Sequence, residues 1–320
     1  MSEKISAAIG GTPLIKLDKL SAEVGANVYV KYEAANPGGS IKDRAARSMI
    51  DAAVARGEIS PGKSVLVEPT SGNTGIGIAM LGAARGYRVI LAMPESMSIE
   101  RRKLLAVYGA ELVLTPAAQG MAGAVAEAER IERETPGAWI VGQFTNPDNP
   151  AAHERTTGPE ILKDLGHAPD YVLAAAGTGG TVSGVAHFFN GNKTSKAASE
   201  RHVSIYTAEP AESPIIGQAL AGEELTPGSH GIQGIGANFI PDTLDLEALD
   251  GAIRVPTSDA LDAARWLAAH EALLVGISSG ANIAAVRKLV AEHPEAAGKD
   301  IVTFAVDTGE RYLSTKLFAE

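Results

Sequence analysis

Short apolar runs alternate along most of the chain with longer stretches in which apolar residues recur every three to four positions. The runs have the length and the β-branched content of strands, whereas the longer stretches have the period of helices. Nine runs are predicted to be strands: Val28–Tyr32, Val65–Val67, Val89–Ala92, Leu112–Leu114, Trp139–Val141, Tyr171–Ala174, Val203–Thr207, Leu273–Ile277 and Val302–Val306. This alternation is typical of an α/β protein whose mainly parallel sheets are covered by helices.

The length of 320 residues favours two sheets with a cleft between them over one sheet of nine strands. A turn-rich stretch, Asn146–Pro150, is the predicted break. Asn190–Glu200 is predicted to be a surface loop. Ligands of open α/β sheets bind beyond the carboxyl ends of the strands, so the chemistry is expected in strand-to-helix loops.

Composition and charge narrow the function classes. The net charge is −10 and no basic block occurs, which argues against nucleic-acid binding and against attachment to acidic membranes. No run of eighteen apolar residues and no signal-peptide core is present. The chain has no cysteine, which removes disulfides, thiolate zinc sites and a cysteine nucleophile. A cytoplasmic protein without a metal site is therefore expected.

The apolar stripe Ile41, Ala45, Met49 and Ala53 predicts a helix that ends at Gly57, with Lys42 in its first turn. The positive partial charge at a helix start disfavours the ammonium form of a lysine, and burial disfavours it further. A neutral amine is what Schiff-base chemistry requires. The alternative is an ordinary solvated surface lysine.

The loop Glu68–Gly75 follows a predicted strand and opens a helix of small residues. It offers three hydroxyls and an amide beside the unpaired N–H groups of a helix start, which suits an anion such as a carboxylate. An ordinary polar turn with an N-cap is the alternative.

Gly177–Thr181 also joins a strand to a helix. Its glycines let backbone N–H groups approach a phosphate, and its two threonines add hydroxyl donors. Val182 stands where a dinucleotide fingerprint would have its third glycine. Glu209 nevertheless ends the next strand as a ribose-binding acid would, so a nicotinamide cofactor stays an alternative for this loop.

Gly276–Gly280 contains two serines at a third such junction. Either serine could cap the helix. The other interpretation is a neutral hydrogen-bond partner for a heterocyclic nitrogen.

Together these four motifs resemble, in order and spacing, those of the fold-type II pyridoxal-phosphate (PLP) enzymes, and specifically the O-acetylserine sulfhydrylases, or cysteine synthases, of the A type. The resemblance covers nearly the whole chain. Further stretches match as well: Gly10–Leu14, Met93–Ser98, Gln233–Ala237 and Gly309–Thr315. The last two are similar to cysteine synthases in particular.

The resemblance implies a tryptophan synthase β-like fold of two domains. Residues 36–147 would form a smaller, mobile, substrate-binding domain, and residues 1–35 with 148–320 would form a larger domain that binds the cofactor phosphate. A homodimer is also implied.

The resemblance assigns roles to individual residues. Lys42 would bind PLP covalently and act as acid and base. Asn73 would hydrogen bond to the ring hydroxyl oxygen of the cofactor, and Ser278 would face its pyridine nitrogen. The cofactor phosphate would be bound by Gly177, Thr178, Gly179, Gly180 and Thr181. The substrate carboxylate would be bound by Thr70, Ser71, Gly72, Thr74 and Gln143.

The implied reaction replaces the acetoxy group of O-acetyl-L-serine by sulfide and releases cysteine and acetate. Cystathionine β-synthase, serine or threonine dehydratase and serine racemase share the lysine and phosphate motifs and stay alternatives. A NAD-dependent dehydrogenase and a non-catalytic binding protein on the same fold are alternatives from other classes. The C-terminal tail of serine acetyltransferase is the implied protein partner.

Overall fold

The computed structural model describes residues 3–70, 72–97, 99–192 and 196–318. The strands are β1 Leu14–Lys16, β2 Asn27–Tyr32, β3 Val65–Pro69, β4 Arg88–Pro94, β5 Glu111–Thr115, β6 Ala138–Ile140, β7 Tyr171–Ala175, β8 Ser204–Pro210, β9 Gly251–Val255 and β10 Asp300–Ala305. The helices are α1 Glu3–Ala7, α2 Asp18–Val24, α3 Lys42–Ala55, α4 Asn73–Arg85, α5 Ile99–Val107, α6 Gly120–Glu134, α7 Asp148–Ala152, α8 Gly158–Leu165, α9 Gly180–Asn190, α10 Ile215–Ala221, α11 Thr257–Glu271 and α12 Ile277–Glu292. A π-helical turn spans His153–Thr157, and short 3-10 turns lie at Glu33–Ala35, Ala117–Gln119, Leu246–Ala248, Pro294–Ala296 and Gly309–Tyr312.

The chain divides into two compact units. Unit 1 comprises Met1–Gly10 and Asn36–Asn149, and unit 2 comprises Gly11–Ala35 and Pro150–Glu320. The sequence-based division grouped residues 1–35 together, whereas in the structure the segment up to Gly10 belongs to unit 1. The reason is apolar packing, because Ile9 is buried in the core of unit 1 and Ile5 packs against it. The substrate-binding and phosphate-binding roles of the two domains stay predictions.

Unit 1 is built on a four-stranded parallel sheet in the order β5-β4-β3-β6. Successive residues of β3 point to opposite faces, as the strand period requires. Leu66 lies in the core that α3, α4 and α5 form, whereas Val65 and Val67 face Ala124 and Ala128 of α6. Helices thus cover both faces, as the apolar runs predict.

Unit 2 is built on a six-stranded sheet in the order β1-β2-β10-β7-β8-β9, in which only β1 is antiparallel. Its main core joins β2, β7 and β10 to α2, α11 and α12. On this sheet α9 contacts β7 and β8. The predicted α/β class with mainly parallel sheets is confirmed.

Eight of the predicted strands form, but the strand predicted at Leu273–Ile277 is wrong. Val275 makes an isolated bridge to Thr308, and Ile277 already begins α12. Val275 is fully buried, so its apolar character reflects core packing. The neighbouring β10 is already paired on both edges, with β2 and β7, so this run has no sheet edge to join.

The predicted loop at 190–200 contains residues 193–195, which lie outside the described residues; residues 191, 192 and 196–200 contain no helix or strand. Within the described part of the chain, no helix combines the length and the apolar character needed to cross a membrane.

Candidate active site

Lys42 is the first residue of α3, as predicted, and its backbone N–H donates to Oγ of Ser40 at 3.2 Å. The preceding loop is held against the helix, because the buried carboxylate of Asp43 accepts from the backbone N–H of Gly38 at 2.5 Å. A side chain on Gly38 would collide with that carboxylate. The half-buried Lys42 is therefore presented by a loop with little freedom.

The predicted carboxylate loop lies at the carboxyl end of β3, where α4 begins at Asn73. The N-cap residue of this helix is Gly72, which has no side chain with which to cap it. Thr70 is buried, and its Oγ accepts from the N–H of Gly72 at 3.3 Å. Ser71 lies outside the described residues.

Gln143 is buried in the turn after β6, a strand that pairs in parallel with β3. The hydroxyl of Thr74 donates to its Oε1 at 2.6 Å. The structure of unit 1 thus joins two predicted substrate-binding residues that are 69 positions apart in the sequence.

Glu68 is a member of this cluster that the sequence analysis did not single out as a functional residue. Its buried carboxylate accepts from the backbone N–H groups of Gly142 at 2.8 Å and Gln143 at 3.3 Å. Burial raises the pKa of Glu68 to about 7, because its effect is larger than that of the hydrogen bonds, which lower the pKa. An acidic residue inside an otherwise apolar strand was the available signal.

Gly177–Thr181 joins β7 to α9, as predicted, and Gly179 adopts the left-handed conformation at φ 79°. A side chain on Gly177 would collide with the carbonyl oxygen of Gly234, and one on Gly179 would collide with Leu244. The N-cap residue Gly179 has no side chain, and the backbone N–H of Gly180 donates to Oγ1 of Thr178 at 3.3 Å. The backbone N–H groups of this helix start and the half-buried Thr181 hydroxyl form a donor set that fits a phosphate dianion.

His153 is a second residue that the sequence analysis did not identify. It begins the π-helical turn of unit 2 and is 2% exposed. Its Nε2 lies 3.3 Å from Oγ1 of Thr181, and its Nδ1 lies 2.9 Å from Oγ1 of Thr157. Thr181 is 28 positions away, so no local sequence pattern could have paired the two.

Ser278 is buried in the first turn of α12. A Cβ on Gly234 would lie 3.7 Å from its Oγ, and the same glycine packs against Gly177, so Gly234 joins the glycine loop to this serine. The N-cap of α12 is Gly276, and Oγ of Ser279 accepts from the N–H of Val306 at 2.8 Å. Neither serine is the cap that the alternative required.

Glu209 does end β8, as the nicotinamide alternative required. Its carboxylate is buried, however, and accepts from the N–H groups of Ile216 at 2.8 Å and Gly217 at 3.1 Å. Both oxygens are used inside the protein, which argues against ribose binding. Among the described residues no group of three or more His, Asp or Glu side chains could hold a metal ion.

Comparison with known proteins supplies the family. Residues 5–307 match the model of the family described as pyridoxal-phosphate dependent enzyme. Cysteine synthase A of Escherichia coli K12 is 48% identical over 319 residues, which cover 99% of this chain and 96% of that protein. A cysteine synthase of Staphylococcus aureus Mu50 is 46% identical over 318 residues, covering 99% and 97%.

Solved structures agree with these relatives. The crystal structure of the Entamoeba histolytica cysteine synthase superposes with a TM-score of 0.88 at 40% identity and covers 99% of this chain and 91% of that one. An O-ureido-L-serine synthase superposes with the same TM-score at 38% identity, covering 99% and 95%. The family model, the fold and these relatives together show that the chain belongs to the cysteine synthase family of pyridoxal-phosphate dependent enzymes.

Proposed function

We propose that this protein is a cysteine synthase that replaces the acetoxy group of O-acetyl-L-serine by sulfide, giving L-cysteine and acetate. The observation that carries the proposal is the 48% identity to a cysteine synthase A along 99% of the chain. The four motifs lie within this aligned length and point to the same family.

The cofactor of the family is PLP, which supplies an electron sink for the pair of electrons left when a proton leaves the substrate Cα. We propose that Lys42 binds the cofactor covalently and that its Nζ removes and returns the proton. The placement of Lys42 at the start of α3 supports this role, because the helix end disfavours the ammonium form.

Three further groups are proposed to hold the cofactor. The residues Gly177, Thr178, Gly179, Gly180 and Thr181 would bind the phosphate, which their placement at the start of α9 supports. Asn73 would donate to the ring hydroxyl oxygen. Ser278 would face the pyridine nitrogen with a neutral hydroxyl, which cannot keep that nitrogen protonated as a carboxylate would. We expect this neutrality to favour prompt loss of the β-substituent over side reactions.

The substrate carboxylate is proposed to lie at the start of α4, bound by Thr70, Ser71, Gly72, Thr74 and Gln143. The hydrogen bond that brings Thr74 and Gln143 together at the start of α4 supports this assignment for the described members of the set.

The function is tested by incubating the purified protein with O-acetyl-L-serine and sulfide and measuring cysteine and acetate. Homocysteine in place of sulfide tests for a cystathionine β-synthase, and serine or threonine alone tests for a dehydratase. Cysteine formation that exceeds both alternatives by at least about tenfold is expected. No cysteine formation by protein with bound PLP would overturn the proposal.

We further propose that the C-terminal tail of serine acetyltransferase binds at the same carboxylate-binding loop. The donor set that suits the substrate carboxylate equally suits the carboxylate of a C-terminal residue with an apolar side chain. Calorimetry with a peptide that ends in isoleucine should show binding that competes with O-acetyl-L-serine. The amidated peptide should bind far more weakly, and equal affinity of both peptides would contradict a shared site.

We also propose, as the sequence predicts, that the protein is a homodimer and that it is cytoplasmic. Light scattering during size-exclusion chromatography should give twice the chain mass of 33.0 kDa.

A further inference from the structure

Glu68 is a buried carboxylate that no cation among the described residues neutralises. It ends the apolar part of β3, is 1% exposed, and its hydrogen-bond partners are Gly142 and Gln143. Burying a charge without an ion pair opposes folding, as the raised pKa of Glu68 reflects. A position that retains such a group beside the proposed substrate-binding residues indicates a role beyond stability.

The turn after β6 is shaped to meet this carboxylate. Gly142 adopts the left-handed conformation at φ 74°, which side chains rarely tolerate. The two consecutive N–H groups of Gly142 and Gln143 then reach different oxygens of Glu68. The carbonyl oxygen of Gln143 accepts from Nδ2 of Asn149 at 2.8 Å, which holds the other side of the turn.

The side chain of Gln143 extends from the turn that Glu68 holds. Its Oε1 faces Thr74, whose hydroxyl donates to it at 2.6 Å. The two backbone hydrogen bonds to Glu68 thus fix where the Gln143 side chain starts, and Thr74 fixes which end of its amide is the acceptor end.

This direction decides which groups can still donate to a substrate. The single hydroxyl hydrogen of Thr74 is used on Gln143, so Thr74 can donate to a substrate only through its backbone N–H. Nε2 of Gln143 is the donor end of the amide and carries two hydrogens. A substrate carboxylate is the acceptor that the proposed function supplies for them.

We propose that Glu68 is a positioning residue for the substrate α-carboxylate: it holds the turn at Gly142 and Gln143 in the place from which Nε2 of Gln143 donates to that carboxylate while Thr74 holds Oε1. The inference rests on the proposed function only in taking the substrate to be an α-amino acid. Glu68 acts through Gln143 and does not itself contact the substrate.

The chain contains a matched control for this arrangement. Glu209 also precedes a proline at the end of a strand, is 1% exposed, and accepts from two consecutive backbone N–H groups, those of Ile216 and Gly217. Burial raises the pKa of Glu209 as well. None of its partners is a proposed substrate-binding residue, so Glu209→Gln reproduces the loss of a carboxylate without disturbing Gln143.

The experiment compares two probes on PLP-loaded protein. L-alanine carries the α-amino and α-carboxylate groups without a leaving group, and ethylamine is the same molecule without its carboxylate. Dissociation constants are measured from the visible absorbance change of the cofactor in wild type, Glu68→Gln and Glu209→Gln. Glutamine at position 68 replaces one of the two accepting oxygens by an N–H₂ donor, so the turn cannot keep both hydrogen bonds.

Glu68→Gln should weaken L-alanine binding by about tenfold or more, the loss expected when a hydrogen bond to a charged group is removed. Ethylamine binding should change less than about twofold, and Glu209→Gln should alter neither probe. The KM for O-acetyl-L-serine should rise in Glu68→Gln more than kcat falls. If Glu68→Gln does not fold, Glu68→Asp keeps the charge but retracts it by one methylene and should show the same selective loss.

Unchanged L-alanine binding in the Glu68 variants would overturn the inference, as would an equal loss of both probes or an equal loss in Glu209→Gln. Absence of any response of wild type to L-alanine would overturn it too. Failure of wild type to make cysteine would instead refute the proposed function, because the two probes test carboxylate recognition without any turnover.

Discussion

Nε2 of His153 lies 3.3 Å from Oγ1 of Thr181 in unit 2. The ring is buried, and its other nitrogen lies 2.9 Å from Oγ1 of Thr157, so the imidazole joins a π-helical turn to the start of α9. A π-helical turn is often found where a functional side chain must be placed. We therefore expect His153 to hold the Thr181 hydroxyl in the orientation that phosphate binding requires.

His153→Leu should raise the dissociation constant of PLP by about two- to tenfold, the equivalent of one neutral hydrogen bond. Equilibrium dialysis after removal of the cofactor measures this constant. His187→Leu is the control, because His187 lies on α9 but hydrogen bonds to Asp245. Equal PLP affinity in His153→Leu and wild type would contradict the expected role.

Thr181→Val removes a hydroxyl that is proposed to donate to the cofactor phosphate while keeping the shape of the side chain. The dissociation constant of PLP should rise by about tenfold or more, because hydrogen bonds to charged groups contribute about 1.5–3 kcal/mol. Ser183→Ala on the same helix is the control, since its hydroxyl accepts from the N–H of Asp245. A Thr181→Val protein that retains wild-type affinity would show that this hydroxyl does not bind phosphate.

Lys42→Ala should reduce cysteine formation by at least about 10²–10⁴-fold, the usual contribution of a positioned acid and base. Borohydride should fix the cofactor to the Lys42 peptide of wild type, as mass spectrometry can detect, and should fix none in the variant. Lys63→Ala is the control, since Lys63 is exposed in a turn between α3 and β3. Fixation at any other lysine would refute the assignment.

The strand-to-helix loops could be predicted from the sequence because each combines an apolar run, glycines and a helical period. The exceptions have physical causes. The strands Leu14–Lys16 and Gly251–Val255 were not predicted. They are the two edges of the six-stranded sheet and are only partly buried, so neither forms a continuous apolar run. Val275 is apolar because it is buried in a core, which an isolated run does not distinguish from a strand.

The candidate site residues also fall into those that local motifs predict and those that only tertiary packing brings together. Lys42, Thr74 and Thr181 lie in local motifs, so their placement at helix starts followed from neighbouring residues. His153 and the Glu68–Gln143 contact depend on tertiary packing across 28 and 75 positions. A buried carboxylate in a strand and a histidine without flanking glycines carry no local signal for the partner that each one meets.

The raised pKa of Glu68 makes the free energy of unfolding depend on pH. The carboxyl loses its proton near 4.5 in the unfolded chain and near about 7 in the folded protein. Between these values the folded state binds more protons, so stability falls as the pH rises from about 5 to about 8. The contribution is on the order of 3 kcal/mol.

Urea unfolding of wild type and Glu68→Gln at about pH 5 and pH 8 tests this dependence. The difference in unfolding free energy between the two proteins should shift in favour of the variant as the pH rises. Glu292→Gln, at an exposed position, should follow wild type at both values. If the unfolding free energies of wild type and Glu68→Gln change equally between the two pH values, the pKa of Glu68 is not raised by folding.

Ser278→Asp tests whether a neutral partner at this position matters for the reaction. The side chain is buried at the start of α12, beside Gly234, so a carboxylate there would be desolvated and would favour a protonated nitrogen opposite it. A protonated pyridine nitrogen strengthens the electron sink, and side reactions such as conversion of the cofactor to its amine form should increase relative to cysteine formation.

Ser278→Ala, which stays neutral, should keep the wild-type ratio of products while weakening PLP binding by about two- to tenfold. Ser279→Ala controls for damage to the helix start, since Ser279 contacts the backbone of Val306. The ratio of side products to cysteine, measured by chromatography, should be higher in Ser278→Asp than in wild type, Ser278→Ala and Ser279→Ala. A ratio in Ser278→Asp equal to that of wild type would mean that the charge at this position does not select the reaction.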